Sequence, residues 1–587
     1  MRNLLSRWMA VWLCLLAASS GLAAEPQDAA AMMPGGAVAF IEIEGLESWI
    51  DQAQQSEFVK SLPANPQVQA FYATPQGRQA DAGRKILEAQ LGMDLWTLAK
   101  KGFGGRIAAA FYPVEGRKEP NAVLFVRATD AATLEKLREK AAPFLALAQD
   151  RIVTSVGPGD VSVRAIDNKL FLAEKDDWIL AASTSELLTN ALTLRAGSAD
   201  AALKSLSTDA PFVAMTKQMG GKHLGRVFFN SEMVAKAQGG RLGPEKLDNP
   251  VGSLLLGGLV ELFSRSSFAG LTLDLTDGQL RLTAGAAGAA SSLGASHQPF
   301  FAPKNQGAPA LPAVPQLIGG VTLNRDYAGW YKNREALLQA KVLPEFDKFE
   351  SGLANLLPGR DFGEDVLPTI GRNLTIVAAP QSFEHLQSKP GVQLPGFGLI
   401  VDLAKPKEGE EIMQLLFQTL TVISNLNAGQ QGRQPWVLSS ETHHGVQINF
   451  GKYTQKPKGE RLPIVFNFMP AAAQVGDKFL LCSSVDLCRQ LVDAYSQQRE
   501  SSVPRAASAD DFRIELRGET LSQALEVNAE LLEARAVQEG KSAEQAKAEI
   551  GTLLQLVRSI RSVSVKTGAA GEGYKVQLEA NWGASAK

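Results

Sequence analysis

The chain has 587 residues, 45% of them hydrophobic and 20% charged, a globular balance that excludes a disordered, collagen-like or polytopic membrane chain. Lys+Arg 59 against Asp+Glu 61 gives a net charge of −2, so the basic excess that drives binding to phosphate backbones is absent and no nucleic-acid partner is expected.

Residues 1–24 read as a secretory signal peptide. Arg2 and Arg7 form the positive start, an apolar stretch runs from Trp8 to Ala18, and small residues at 21–24 offer a cleavage site. The apolar run is shorter than the ~20 residues of a membrane span. Trp12 and Leu13 are too bulky before Cys14 for a lipidation site. Cleavage leaves Cys482 and Cys488 as the cysteines, a sparse usage that fits a bacterial periplasmic or secreted protein. No transmembrane segment is expected in the mature chain. Its most apolar run, residues 251–263, carries Glu261 and three glycines and reads as a buried helix.

In chain order, a strand leading into a helix is expected around Trp49 (37–60), then a helix capped by Asp94 and an apolar strand at 106–112. A further strand (122–126) and a helix (131–140) follow, then a strand, a polar turn and a helix over 178–194. The sequence LTLDLTDGQLRL at 271–282 alternates with period two on either side of Asp277-Gly278, which predicts a two-residue hairpin.

The same order then recurs. At a constant spacing of 267 residues, Gly92, Asp94, Gly104 and Pro113 meet Gly359, Asp361, Gly371 and Pro380. Residues 180–188 match 480–488 at a spacing of 300, and 251–255 match 550–554 at 299. Trp49 and Trp330 each follow a strand-like run. The second copy predicts a strand and helix at 319–340, a helix capped by Asp361 with Glu364 completing a capping box, and strands at 373–379 and 398–401. A helix at 408–420, a strand–turn–helix at 478–495 and a closing strand pair (561–565 with 574–582) complete it. The Ala- and Glu-rich stretch 521–560 reads as helical and as an addition to this copy. The expected architecture is α+β: two homologous, duplicated halves, 34–290 and 317–585, each a largely antiparallel sheet with packed helices. Residues 291–316, rich in Pro, Ala, Gly and Ser, read as a semi-rigid linker between them.

The signal peptide, the duplicated halves, the GMDL (92–95) and GRDF (359–362) runs before a helix, and the glycine-led apolar strand resemble a family of exported bacterial proteins built on a domain of unknown function. The resemblance implies export and this fold. It supplies no catalytic or cofactor-binding residue.

Few residues point to chemistry. The histidines are His223, His297, His385, His443 and His444. Glu441 and one of His443 or His444 could serve a metal, but neighbours on a strand face opposite sides, so an exposed strand-edge pair is the expectation. Cys482 and Cys488 align with Ala182 and Leu188 and are expected as small core residues, with a disulfide as the alternative. Gly220-Gly221-Lys222-His223 and Gly102-Phe103-Gly104-Gly105 lack phosphate-loop spacing and read as turns. Asp94 and Asp361 read as helix caps, and Asp274 and Asp277 as hairpin residues. Trp49 and Trp330 read as core side chains, with a ligand groove as the alternative. No catalytic, cofactor-binding or metal-ligating residue is assigned, and no cofactor is expected. The functional expectation is an exported, non-catalytic binding or scaffold protein of the periplasm or the exterior, with an unknown envelope or extracellular partner. The alternatives are an envelope carrier or chaperone for lipid or unfolded clients, and a hydrolase with an unrecognised site.

Overall fold

The computed structural model describes residues 28–55, 59–60, 63, 66–147, 151–175, 177–197, 202–220, 222–276, 278–453, 461–500, 508–570 and 573–582. The expected signal peptide lies outside them, as does Asp277. The fold is α+β, with the strands pairing antiparallel within each unit, and no helix among the described residues is long and apolar enough to cross a membrane.

The chain divides into two compact units. One comprises residues 1–242 and 263–287, the other residues 243–262 and 288–587.

The first unit contains β1 (Ala39–Glu44), β2 (Arg106–Tyr112), β3 (Asn121–Arg127), β4 (Ile152–Gly157), β5 (Val161–Ile166), β6 (Leu170–Lys175), β7 (Trp178–Ala182), β8 (Gly225–Phe229), β9 (Ala269–Thr276) and β10 (Gln279–Ala287). They pair in the order β4-β5-β6-β7-β3-β2-β1-β8-β9-β10. In β9–β10, Thr276 faces Gln279, which leaves the two-residue turn the sequence predicts; Gly278 takes φ 72 there, a conformation that costs glycine nothing.

The run WILAA of β7 shows no alternation because both of its faces are buried. Leu180 and Ala182 join the cluster built around Phe40, Phe125, Phe212 and Phe228, covered by helices Ser185–Arg195 and Ala210–Met219. Ile179 and Ala181 face the other way, against Leu134 and Leu137 of helix Ala131–Leu147. Phe212 meets Phe40 and Phe228 edge-on, at 5.7 and 5.2 Å between ring centres. Beneath these rings Glu42 is buried between Arg226 and Arg106, and burial pushes its carboxyl above its ordinary pKa against the pull of both guanidiniums.

The second unit contains β11 (Gly319–Asn324), β12 (Ile370–Ala379), β13 (Gly396–Leu403), β14 (Trp436–His443), β15 (Val446–Tyr453), β16 (Ala471–Val475), β17 (Lys478–Cys482), β18 (Asp510–Arg517), β19 (Ile560–Ala570) and β20 (Gly573–Trp582). Their order is β14-β15-β16-β17-β13-β12-β11-β18-β19-β20, which is the first unit's order strand for strand. Small contacts repeat with it. Ser183 Oγ accepts from the Ala122 amide, and Ser483 Oγ from the Phe397 amide. Thr184 caps the helix after β7 through the Leu187 amide, and Ser484 receives the Leu487 amide at the matching place. The central strand β17 is again buried on both faces, by helix Val485–Glu500 on one side and helix Pro406–Gln430 on the other.

The segments around the expected boundary depart from expectation. Residues 243–262, the bulk of helix Pro250–Arg265, belong to the second unit although chain order puts them in the first half. Within residues 291–316, read as a linker, Phe300, Phe301, Ala308 and Val314 are buried in the second unit. Two glycines explain the fit. A Cβ on Gly257 would come within 2.7 Å of the Phe300 ring and one on Gly258 within 2.6 Å of the Phe300 Cβ, so the LLLGGLV sequence provides the flat helix surface that this side chain covers. Arg325, 3% exposed, fastens the same helix, donating to the carbonyls of Leu254 (3.1 Å) and Leu255 (2.9 Å).

Candidate functional site

Two recesses lie where Gly92 and Gly359 align. In the first unit, helix Pro75–Leu91 stops because Gly92 turns left-handed (φ 68) and its amide closes on the Glu88 carbonyl. Asp94 then caps the next turn: its carboxylate accepts the Thr97 amide at 2.9 Å and the Thr97 hydroxyl at 2.6 Å. That hydroxyl, followed by the amides, holds the Asp94 carboxyl below its ordinary pKa. In the second unit Gly359 has φ 77, and Asp361 accepts the Glu364 amide at 2.7 Å. The box is closed by Asp365, which takes the Asp361 amide at 2.8 Å; Glu364, the residue expected to do so, sits one position early.

The expected helix after each aspartate is short and widened. Leu95–Thr97 forms one α-turn and Leu98–Gly102 is π-helical; in the second unit Phe362–Val366 is π-helical from the cap onward. A Cβ on Gly104 would lie 1.8 Å from the Lys100 carbonyl, so this glycine lets the widened turn pass directly into β2. π-turns are rare and often occur at functional sites.

Against each π-turn lies a recess. The first unit's, of about 860 Å³, is walled by Tyr72, Leu95 and Trp96, with Arg84, Lys85 and Glu88 on its rim. The second unit's, of about 250 Å³, is lined by Glu350, Leu353, Arg360, Phe362 and Val366. Leu95 and Phe362 are partners at the 267-residue spacing, and so are Ala99 and Val366, which line their respective recesses. The linings differ in chemistry. Trp96, 48% exposed, aligns with Gly363. On the first rim Arg84 bridges Asp81 (2.7 Å) and Glu88 (2.8 Å), while Lys85 also pairs with Asp81 (2.7 Å).

Elsewhere the predicted residues scatter. Trp330 is packed on Phe346, at 5.7 Å between rings, whereas Trp49 is 36% exposed. Both ring nitrogens of His223 have partners, Asp274 (2.8 Å) and the Gly220 carbonyl (2.5 Å), so Asp274 is engaged with this imidazole. His297 lies 3.8 Å from Glu261. Cys482 and Cys488 are free, buried thiols of the second core, and contact with Cys488 together with burial pushes the Cys482 thiol well up.

The histidine pair corrects its expectation. His443 ends β14, but His444 lies in the hairpin turn with φ 47, outside the alternation of the strand. Their rings meet at 4.6 Å, and both Nε2 atoms face Asp493 Oδ1, at 2.7 and 3.5 Å. Glu441 is committed to Arg489 through two contacts of 2.6 and 2.8 Å. Sequence proximity missed Asp493 because it arrives from helix Val485–Glu500, 50 residues away in the chain from His443.

No family model matches the chain, and no curated protein matches it. Among solved structures, crystal form III of TP0453 is similar at 10% identity, covering 45% of this chain and 81% of that one with a TM-score of 0.23. Crystal form I gives 9% identity, coverage of 47% and 84%, and a TM-score of 0.23. Similarity at that TM-score carries no argument about fold or function.

Proposed function

We propose that this is an exported, non-catalytic binding or scaffold protein whose two units descend from one duplicated unit, and that the recess beside Trp96 is its principal capture surface. One observation carries the reading: the framework is kept twice while the recess linings are not. Strand order, the Gly–x–Asp cap and the π-turn recur; Trp96 aligns in sequence with Gly363, and the volumes differ severalfold. Here the shared acids, Asp94 and Asp361, are both spent on capping. Divergent walls on a common scaffold suit the recognition of partners.

The rim chemistry favours a polar or amphipathic partner over a lipid cargo. A lipid carrier calls for an enclosed apolar chamber, whereas these two recesses have ionised side chains in their linings. Arg2, Arg7 and the apolar run after them support export to the periplasm or beyond.

Native mass spectrometry of the chain isolated from its envelope fraction tests the proposal. A bound species is expected on the wild type and lost from Tyr72→Ala/Trp96→Ala. Equal retention by that variant would overturn the assignment of the recess.

A further inference from the structure

We infer that His443, His444 and Asp493 form a binding site for a divalent transition-metal ion of the zinc, cobalt or nickel kind, at the β14–β15 hairpin of the second unit. The argument begins with the backbone. His443 pairs with Val446, so His444 and Gly445 alone make the turn, with φ 47 and 76. Positive φ at both positions matches the type I′ hairpin turn, where Asn, Asp and Gly are the favoured residues. A histidine in this place accepts a conformation that Asn would take more readily. Its consequence is to fold the second imidazole back onto the first, edge to face at 87°.

The third donor comes from another element. Asp493 sits on helix Val485–Glu500, and its Oδ1 is the common point on which both Nε2 atoms converge. The three donor atoms lie within 4.8 Å of one another. Ligand bonds of ~2.0–2.2 Å from a shared ion would need only small side-chain rotations from that spacing. One turn earlier on the helix, Arg489 is neutralised by Glu441 and by Asp486, at 3.0 Å, so its charge is already matched beside the site. That pairing also removes Glu441 from the ligand set.

The donors choose the metal class. Two imidazoles and one carboxylate suit zinc, cobalt, nickel or copper(II); calcium and magnesium prefer all-oxygen shells. Three protein ligands leave a coordination position for water or for a donor from another molecule, and the 68% exposure of the His444 side chain leaves that position reachable.

The test uses the full mature chain without an affinity tag, stripped with chelator and titrated with Co²⁺ followed by visible absorption, and with Zn²⁺ followed by calorimetry. One equivalent is expected. Removing even an outer-shell partner of a metal ligand typically weakens binding about 10–100-fold, so His444→Asn and Asp493→Asn should each weaken it at least that much. Asn suits the turn, and an unchanged circular dichroism spectrum and melting curve would show the fold intact. Glu441→Gln should bind within about twofold of wild type; a tenfold loss there would replace the proposed ligand set. Binding absent up to on the order of 1 mM, or unchanged in both His444→Asn and Asp493→Asn, would overturn the site.

Discussion

Replacing Arg325 with alanine should loosen the helix that the second unit takes from the first half of the chain. Its guanidinium donates to Leu254 O (3.1 Å), Leu255 O (2.9 Å), Asn324 O (2.7 Å) and Asp511 O (3.0 Å), and burial pushes its pKa down. A hydrogen bond from a charged group contributes about 1.5–3 kcal/mol, so these bonds sum to roughly 6–12 kcal/mol gross. Taking the guanidinium out of water costs several kcal/mol of that, and breaking buried ionic arrangements typically costs about 3–5 kcal/mol. We expect Arg325→Ala to lose about 4 kcal/mol in denaturant unfolding followed by circular dichroism, because four carbonyls lose the hydrogen bonds that tie them to one buried guanidinium. Arg325→Lys should recover only part of this, since a single ammonium cannot span the Leu254/Leu255 and Asp511 carbonyls together. Hydrogen exchange should quicken across residues 250–262 while β7 stays protected. A loss below about 1 kcal/mol, or exchange that quickens evenly across the chain, would refute the reasoning.

Three further outcomes are expected. Asp94→Ala should cost about 1 kcal/mol as a lost cap, and Asp94→Asn much less, by thermal unfolding; equal losses would remove the capping role. The raised Glu42 carboxyl means the folded state holds that proton more tightly than the unfolded chain. Stability should therefore fall, relative to Glu42→Gln, as pH rises above the ordinary glutamate range of about 4.3, and a slope of the opposite sign in pH-dependent unfolding would contradict the burial argument. Cys482 and Cys488 should resist a thiol reagent in the native chain and both react after unfolding; a chain with no free thiol when unfolded would instead contain the disulfide.

Much of the framework was legible because it rests on local chemistry. Asp277-Gly278 between two alternating runs announced β9–β10, and the 267-residue spacing brought together two glycines that both take positive φ and two aspartates that both cap. The strands β4–β6 were not legible: in the edge strand β4 the pattern runs exposed through Val153–Val156, so period two never appears. Helix Pro75–Leu91 hid for a related reason, with Ile86 at 60% and Leu87 at 42% exposure among charged neighbours. The placement of residues 243–262 and 291–316 was illegible because it depends on Phe300 meeting Gly257 and Gly258, a contact more than 40 residues apart in sequence. The His443–His444–Asp493 cluster was missed because a strand was assumed to continue where a left-handed turn begins. The recesses left no periodic signal, since their walls come from separate turns.

The most direct measurement is a crystal or cryo-EM structure of residues 25–587 purified from the native envelope fraction without stripping ligands. Density between Tyr72 and Trp96, edged by Arg84 and Lys85, is the predicted result. A clear recess there with ordered density held elsewhere on the chain would contradict the account.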